Sequence, residues 1–242
     1  MNGLAAEAKR PRRIVLIRHG ESAYNKARAG NPYFLTEESV EPVKGIPDHN
    51  IALTSDGRRQ ATATGTALAK LFPHFDVLYH SNYRRTIETA ELILAAYSPA
   101  ERTTIRVRGD DRLRERNVGY GFHMTKTEID AYFPFYQDYC QTTGYFRTIP
   151  PGGESQAAVC DRVFMSIGRW FDNYAGRSVA VVAHEGTIRA VRYNLEKWSA
   201  DKYEAALAQH GHNCGIWVYE FSTETKRLEL TIENHCYYPI HV

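Results

Sequence analysis

Four consecutive apolar residues, Ile14-Val15-Leu16-Ile17, follow a basic N-terminal stretch. A short β-branched run without alternation predicts a strand buried on both faces. Ser178–Ala183, with Val179, Val181 and Val182, has the same character. Residues 76–80 and 104–108 are shorter strand candidates. Residues 216–221 and 227–233 read as two late strands joined by a polar turn. In the second of these Leu228, Leu230 and Ile232 alternate with polar residues, as in a half-exposed edge strand.

Apolar positions at helical spacing fill the intervals. Ala61, Gly65, Leu68 and Phe72 share one face of a helix that Thr54 or Ser55 can cap. Thr86, Ala90, Ile93 and Tyr97 repeat the pattern, as do Val159, Val163, Ile167, Trp170 and Tyr174, and then Ile188, Val191, Leu195 and Trp198. Strands alternating with helices predict an α/β layered domain with a mostly parallel sheet. Two stretches break the alternation. Residues 26–52 are rich in Gly, Pro and charge. Residues 120–153 are dense in aromatics, among them Tyr132, Phe133, Phe135, Tyr136, Tyr139, Tyr145 and Phe146. Connections longer than about 12–15 residues are often lids or binding loops, and the aromatic segment suits substrate contact and an added packing layer equally. The expected organisation is a flexible tail at 1–12 and a single domain at 13–242 that carries these two insertions as lids.

Composition narrows the function classes. The chain has 242 residues, 43% apolar and 24% charged, with a net charge of +2. So small a charge gives no reason to expect a nucleic-acid or membrane partner. The four cysteines, at 140, 160, 214 and 236, have no Cys-x-x-Cys spacing and make no disulfide framework. They read as buried thiols in a reducing, cytoplasmic setting. No apolar run approaches the roughly 18 residues of a membrane span, and residues 1–13 lack the apolar stretch of a secretory signal.

The chemistry-bearing residues follow the strands. The first buried strand runs into Arg18-His19-Gly20-Glu21-Ser22, and the second ends in His184-Glu185-Gly186. Ligands of open α/β sheets bind beyond the carboxyl ends of strands, so both histidines are expected on one rim. Ser81-Asn82-Tyr83-Arg84-Arg85-Thr86 follows a third strand and opens a helix. Arg112-Leu113-Arg114-Glu115-Arg116 follows a fourth. Histidines, arginines and a carboxylate on one rim suit a phosphoryl group. Guanidinium matches phosphate oxygens bidentately, nearby guanidiniums keep an imidazole neutral and nucleophilic, and a protonated carboxyl can supply the proton to the leaving oxygen. A metal site, to which His210 and His212 could add, is the weaker reading because the flanking arginines repel a cation. No metal or cofactor is expected.

These residues carry a resemblance. Leu16-Ile17-Arg18-His19-Gly20-Glu21-Ser22 with Asn25 resembles the signature of the histidine phosphatase superfamily, the phosphoglycerate mutase-like proteins. Five more segments resemble that family in order. They are Leu53 to Ala61, Ser81 to Ala90, Leu113-Arg114-Glu115-Arg116 with Gly119, Gly153-Glu154-Ser155, and Val182-Ala183-His184. The resemblance implies a three-layer α/β/α fold with a sheet of about six strands. It implies that His19 accepts the phosphoryl group, that Arg18, Arg84 and His184 surround the phosphate, and that Glu115 is the general acid. Arg85 is then the surface neighbour of Arg84, and Asp110 and Asp111 are the alternatives to Glu115. Asn25, Glu185, Gly186 and Lys126 are expected to contact substrate.

Glu185 departs from the family, which has a small residue there, and a carboxylate at the rim repels phosphate unless an arginine such as Arg189 faces it. Lys126 falls where the mutases carry a substrate lysine, whereas Val118 and Gly186 replace other mutase residues. Hydrolysis of a small phosphomonoester is the leading expectation, closest to the broad-specificity phosphatases of the family. Mutase-type transfer and a phospho-ligand-binding module are the alternatives. The two late strands leave room for pairing with a second copy of the chain.

Overall fold

The computed structural model describes residues 10–239. One sheet is built from β1 (Arg13–Arg18), β2 (Val77–His80), β3 (Arg106–Gly109), β4 (Ser178–Ala183), β5 (Ile216–Ser222) and β6 (Arg227–His235). Their order is β3-β2-β4-β1-β5-β6. The first four pair in parallel, and only β5 runs the other way, between β1 and β6. The helices are α1 (Ala23–Arg28), α2 (Glu37–Val40), α3 (Ser55–Leu71), α4 (Arg84–Ala95), α5 (Pro99–Thr104), α6 (Lys126–Tyr132), α7 (Tyr136–Thr143), α8 (Gln156–Asn173), α9 (Glu185–Glu196) and α10 (Ala200–Ala205).

The two apolar runs lie side by side at the centre, as unbroken hydrophobic strands must when both faces are covered. Ile14, Leu16, Val179 and Val181 face one layer, with Val163 and Trp170 of α8 and Ile188 and Val191 of α9. Val15, Ile17, Ala180 and Val182 face the other, with Leu68 of α3 and Ile93 of α4. This is the expected three-layer α/β/α arrangement. Thr54 rather than Ser55 caps α3, its hydroxyl accepting from the Gly57 amide at 3.0 Å. Tyr97 and Trp198 are buried as expected but lie beyond the ends of α4 and α9.

The tail expected at 1–12 is corrected in part. Residues 1–9 lie outside the described residues, but 10–12 are pinned to the domain. The Arg10 carbonyl accepts from the Gly176 amide, and Arg12 donates its amide to the Arg177 carbonyl and accepts from the Phe221 amide. Cys140, Cys160 and Cys214 are buried free thiols, and Cys236 is partly buried. No helix among the described residues is long and apolar enough to cross a membrane.

The two insertions form one cap. Phe34, Val40, Val43 and Ile51 make a small core of their own, closed by Tyr24 and Phe122. Tyr24 stacks on Phe122 with centroids 4.7 Å apart and donates to the Phe122 carbonyl at 2.8 Å. A bridge between Phe34 and Thr125 joins the insertions again. Of the two readings of the aromatics singled out in 120–153, packing and substrate contact, the structure favours packing for one and neither for most. Phe146 packs into the main core, Tyr132, Phe135, Tyr139 and Tyr145 are exposed, and none lines the cavity described below.

Candidate active site

β1 and β4 are neighbours whose last paired residues are Arg18 and Ala183, so the next residues, His19 and His184, emerge together. Their rings meet edge to face with centroids 5.1 Å apart. His19 Nδ1 lies 2.7 Å from the Gly20 carbonyl oxygen. A carbonyl only accepts, so Nδ1 carries the proton and the lone pair is on Nε2. Burial, then the guanidiniums of Arg85 and Arg18, hold the His19 imidazole well below its ordinary range. It is neutral. Gly20 is required by close approach: a Cβ there would meet the Gly57 carbonyl oxygen at 2.4 Å, where the loop crosses the start of α3.

His184 is fully buried. Its Nδ1 accepts from Arg85 Nε at 3.3 Å, and its Nε2 donates to Ser81 Oγ at 2.7 Å. Burial first, then Arg85, keeps this imidazole neutral as well. It stands behind His19 and does not line the cavity, which corrects its expected place around the ligand.

The expected arginine is also corrected by one position. Arg84 is 57% exposed and pairs with Glu88 at 2.8 Å on the surface of α4. Arg85 is 5% exposed and lines the cavity. Besides His184, Arg85 addresses Asp48, donating from one terminal nitrogen to both the carboxylate and the carbonyl at 2.7 Å. The α4 backbone behind it is locked to the first loop through Thr89, whose hydroxyl accepts from the Gly20 amide and donates to the Arg85 carbonyl.

Arg18 lines the cavity from the other side. One terminal nitrogen donates to the Gly211 carbonyl and lies 3.3 Å from Glu185. Its Nε is buried with no partner among the described residues. Glu185 opens α9 and faces Arg18, Arg189 at 2.9 Å and His210 at 3.2 Å. Burial would raise its carboxyl, but Arg18, Arg189 and His210 together hold it below the usual range. The rim carboxylate is thus met by arginine, the condition under which it does not repel phosphate.

Glu115 lines the same cavity. Its neighbours do not pair with it. Arg112 pairs with Asp110 and Arg114 with Glu154. Its carboxylate accepts instead from the amide of Arg116 at 2.8 Å and that of Gly186 at 3.4 Å. Gly186 leaves room for it, since a Cβ there would stand 2.5 Å from Glu115 Oε1. Arg162 fixes the turn, donating to the carbonyls of Arg112 and Glu115 while paired with Glu154. Asp110 is committed to Ser166 and Arg112, and Asp111 to Asn82; neither lines the cavity.

The cavity holds about 640 Å³. Asn25 lines it, its Oδ1 taken by Ser22 and Asn213, which leaves the amide nitrogen to donate. Lys126 is not there: it is half exposed at the start of α6 and pairs with Asp130. Sequence reasoning passed over Asp48, Arg28, Arg116, Gln156 and Asn213, all on the cavity wall. Arg116 was signalled by its place beside Glu115; Asp48 reaches the site from a distant loop and had no local signal. Among the described residues no group of three or more His, Cys, Asp or Glu is placed to hold a metal ion.

The chain is similar to known proteins over most of its length. The model of the histidine phosphatase superfamily (branch 1) matches residues 14–234. A 2,3-bisphosphoglycerate-dependent phosphoglycerate mutase of Cytophaga hutchinsonii is 29% identical over 213 residues, 87% of this chain and 88% of the relative. A glucosyl-3-phosphoglycerate phosphatase of Mycolicibacterium vanbaalenii is 32% identical over 189 residues, 75% of this chain and 73% of the relative. A mycobacterial glucosyl-3-phosphoglycerate phosphatase solved with inorganic phosphate aligns with a TM-score of 0.68 at 25% identity, covering 93% of this chain and 98% of that one. With the matched model spanning nearly the whole domain, the chain belongs to the histidine phosphatase superfamily.

Proposed function

We propose that this protein hydrolyses a small phosphomonoester through a phosphohistidine on His19, with Glu115 as the proton donor. The observation that carries the reading is the bond from His19 Nδ1 to the Gly20 carbonyl, which leaves the Nε2 lone pair on a neutral ring flanked by Arg18 and Arg85. Phosphoryl transfer asks for positioning and charge stabilisation, and two guanidiniums supply both. Nε2 attacks phosphorus, the P–O bond to the leaving group breaks, and the Glu115 carboxyl protonates the departing oxygen. The resulting carboxylate takes a proton from water, whose oxygen attacks the phosphohistidine and releases phosphate and free His19. Nε and the second terminal nitrogen of Arg18, with the second terminal nitrogen of Arg85, are the donors left for phosphate oxygens.

Beyond the phosphate end, Arg28 and Arg116 stand on the wall with Tyr24 and Phe122. That wall suits a leaving group with an acidic function of its own, in keeping with the phosphoglycerate-type substrates named for relatives. The mutase reading leans on Lys126, and the Asp130 pair outside the cavity weakens it. The binding-module reading leans on Glu185, whose charge is compensated.

The test is phosphate release from a panel of phosphorylated metabolites by wild type and His19→Ala, with radiolabelled phosphate trapped in acid-labile form on the wild type. Turnover and label that both vanish with His19→Ala are expected. Unchanged turnover in that variant removes His19 from the mechanism, and interconversion of phosphoglycerates without net phosphate release replaces hydrolysis by mutase chemistry.

A further inference from the structure

We propose that Glu185 is a positioning residue that fixes the orientation of Arg18 toward the phosphoryl group. The proposal rests on reading Arg18 as a phosphate ligand. Glu185 stands directly after His184 and lines the cavity. One of its oxygens meets Arg18, and the other meets Arg189 and His210. Two guanidiniums and an imidazole from the chain itself surround this carboxylate, so no substrate cation is needed to balance it.

The consequence for Arg18 is geometric. A guanidinium offers a planar fork, and which edge it shows a ligand depends on what holds the rest. Glu185 and the Gly211 carbonyl both take the same terminal nitrogen. The edge that remains is Nε with the other terminal nitrogen, and Nε is buried and unpartnered. The carbonyl belongs to a loop that Glu185 also ties down. Arg189, held by Glu185, donates to the Gln209 carbonyl at 3.2 Å, and His210 bonds Glu185 directly. Asn234 bonds the same loop at the His212 amide and the His210 carbonyl. Without the carboxylate, Arg18 keeps one carbonyl on a loosened loop, and Arg189 is released as a free cation beside the phosphate site.

The experiment is a double-mutant cycle with Glu185→Ala and Arg18→Ala on the full chain, read by steady-state kinetics and by titration with inorganic phosphate. Glu185→Ala is expected to lower kcat about 10-fold without raising KM, because orientation is lost while a repelling charge is removed. On the Arg18→Ala background the same change is expected to cost almost nothing further, the non-additivity of residues that act as a unit. A general structural role gives losses that multiply on both backgrounds, and that result overturns the proposal. Glu185→Gln, which preserves shape and one acceptor, is expected to recover part of kcat and supplies the same cycle should the alanine variant unfold. Turnover that needs His19 but is indifferent to Arg18→Ala defeats this inference and leaves phosphohistidine hydrolysis standing. A wild type that neither turns over nor binds phosphate defeats both.

Discussion

Arg85 Nε donates to Nδ1 of His184 across 3.3 Å, and that bond sets the protons along a buried chain. With Nδ1 accepting, Nε2 must donate to Ser81 Oγ at 2.7 Å. Ser81 in turn gives its proton to Thr86 Oγ1 at 3.0 Å, whose own proton goes to the Tyr83 carbonyl at 2.8 Å. His184, Ser81 and Thr86 each donate once along this chain and each accept within it, Ser81 Oγ taking the Tyr83 amide as well, so the chain is satisfied with His184 neutral. It anchors the start of α4 to the end of β4 and holds the Arg85 guanidinium beside His19.

The first prediction separates the two adjacent arginines. Arg85→Ala removes a buried cation that stabilises transferring charge, and kcat/KM should fall by about 10²–10³. It also leaves His184 Nδ1 and Asp48 without their donor, so the melting temperature should drop as well. Arg84→Ala removes one exposed pair with Glu88, worth well under about 1 kcal/mol, and kcat/KM should stay within about 2-fold of wild type. Steady-state kinetics on a chromogenic phosphate ester distinguish them, and a larger loss for Arg84→Ala reverses the assignment.

A second prediction concerns Gly186→Ala. The new methyl carbon would stand 2.5 Å from Glu115 Oε1, so the carboxylate must swing away from the Gly186 amide. Helix propensity alone favours alanine by up to about 1 kcal/mol. The expected result is therefore a kcat about 10-fold lower with little loss of melting temperature, since only the acid has moved. Wild-type kcat in this variant would mean that the position of Glu115 does not matter to turnover.

Most of the fold was legible because its central strands are unbroken apolar runs, for which Ile14 to Ile17 and Ser178–Ala183 leave little alternative. His19 and His184 were legible for the same reason, His184 standing directly after one run and His19 one residue beyond the other. Arg84 and Arg85 were not separable in this way. At a helix start successive side chains diverge by about 100°, so an offset of one residue exchanges surface for cavity, and nothing in the strand pattern fixes that offset. Compensation of Glu185 was half legible: Arg189 sits one turn on, but Arg18 and His210 arrive from β1 and a distant loop. Lys126 failed because its place depends on how the cap folds around Phe34, which no periodicity in residues 120–153 encodes.

A third prediction follows from the two neutral imidazoles. Both are held well below the ordinary range by burial and then by Arg85. In the unfolded chain they take up protons below about pH 6.5, whereas the folded chain does not until much lower pH. The unfolded state therefore binds more protons, and stability falls as the pH drops, by up to about 1.4 kcal/mol per pH unit for each histidine. Urea unfolding between about pH 6.5 and pH 5 should show this decline. His19→Gln should flatten it by about one histidine's share. An identical slope in that variant means that His19 is protonated in the folded protein.

The same protonation states shape the rate profile. A nucleophilic imidazole with an ordinary pKa would lose activity as the pH fell through about 6.5. His19 is held neutral well below that point, so kcat/KM should show no acid limb there and should hold down to about pH 5.5, provided the protein stays folded. The leaving group gives a separate test, because Glu115 is the proposed proton donor to the departing oxygen. Glu115→Gln should slow phosphohistidine formation from alkyl phosphates far more than from an ester with a good leaving group such as p-nitrophenolate, whose departure needs no proton. Equal slowing of that step for both kinds of ester assigns the proton to another group.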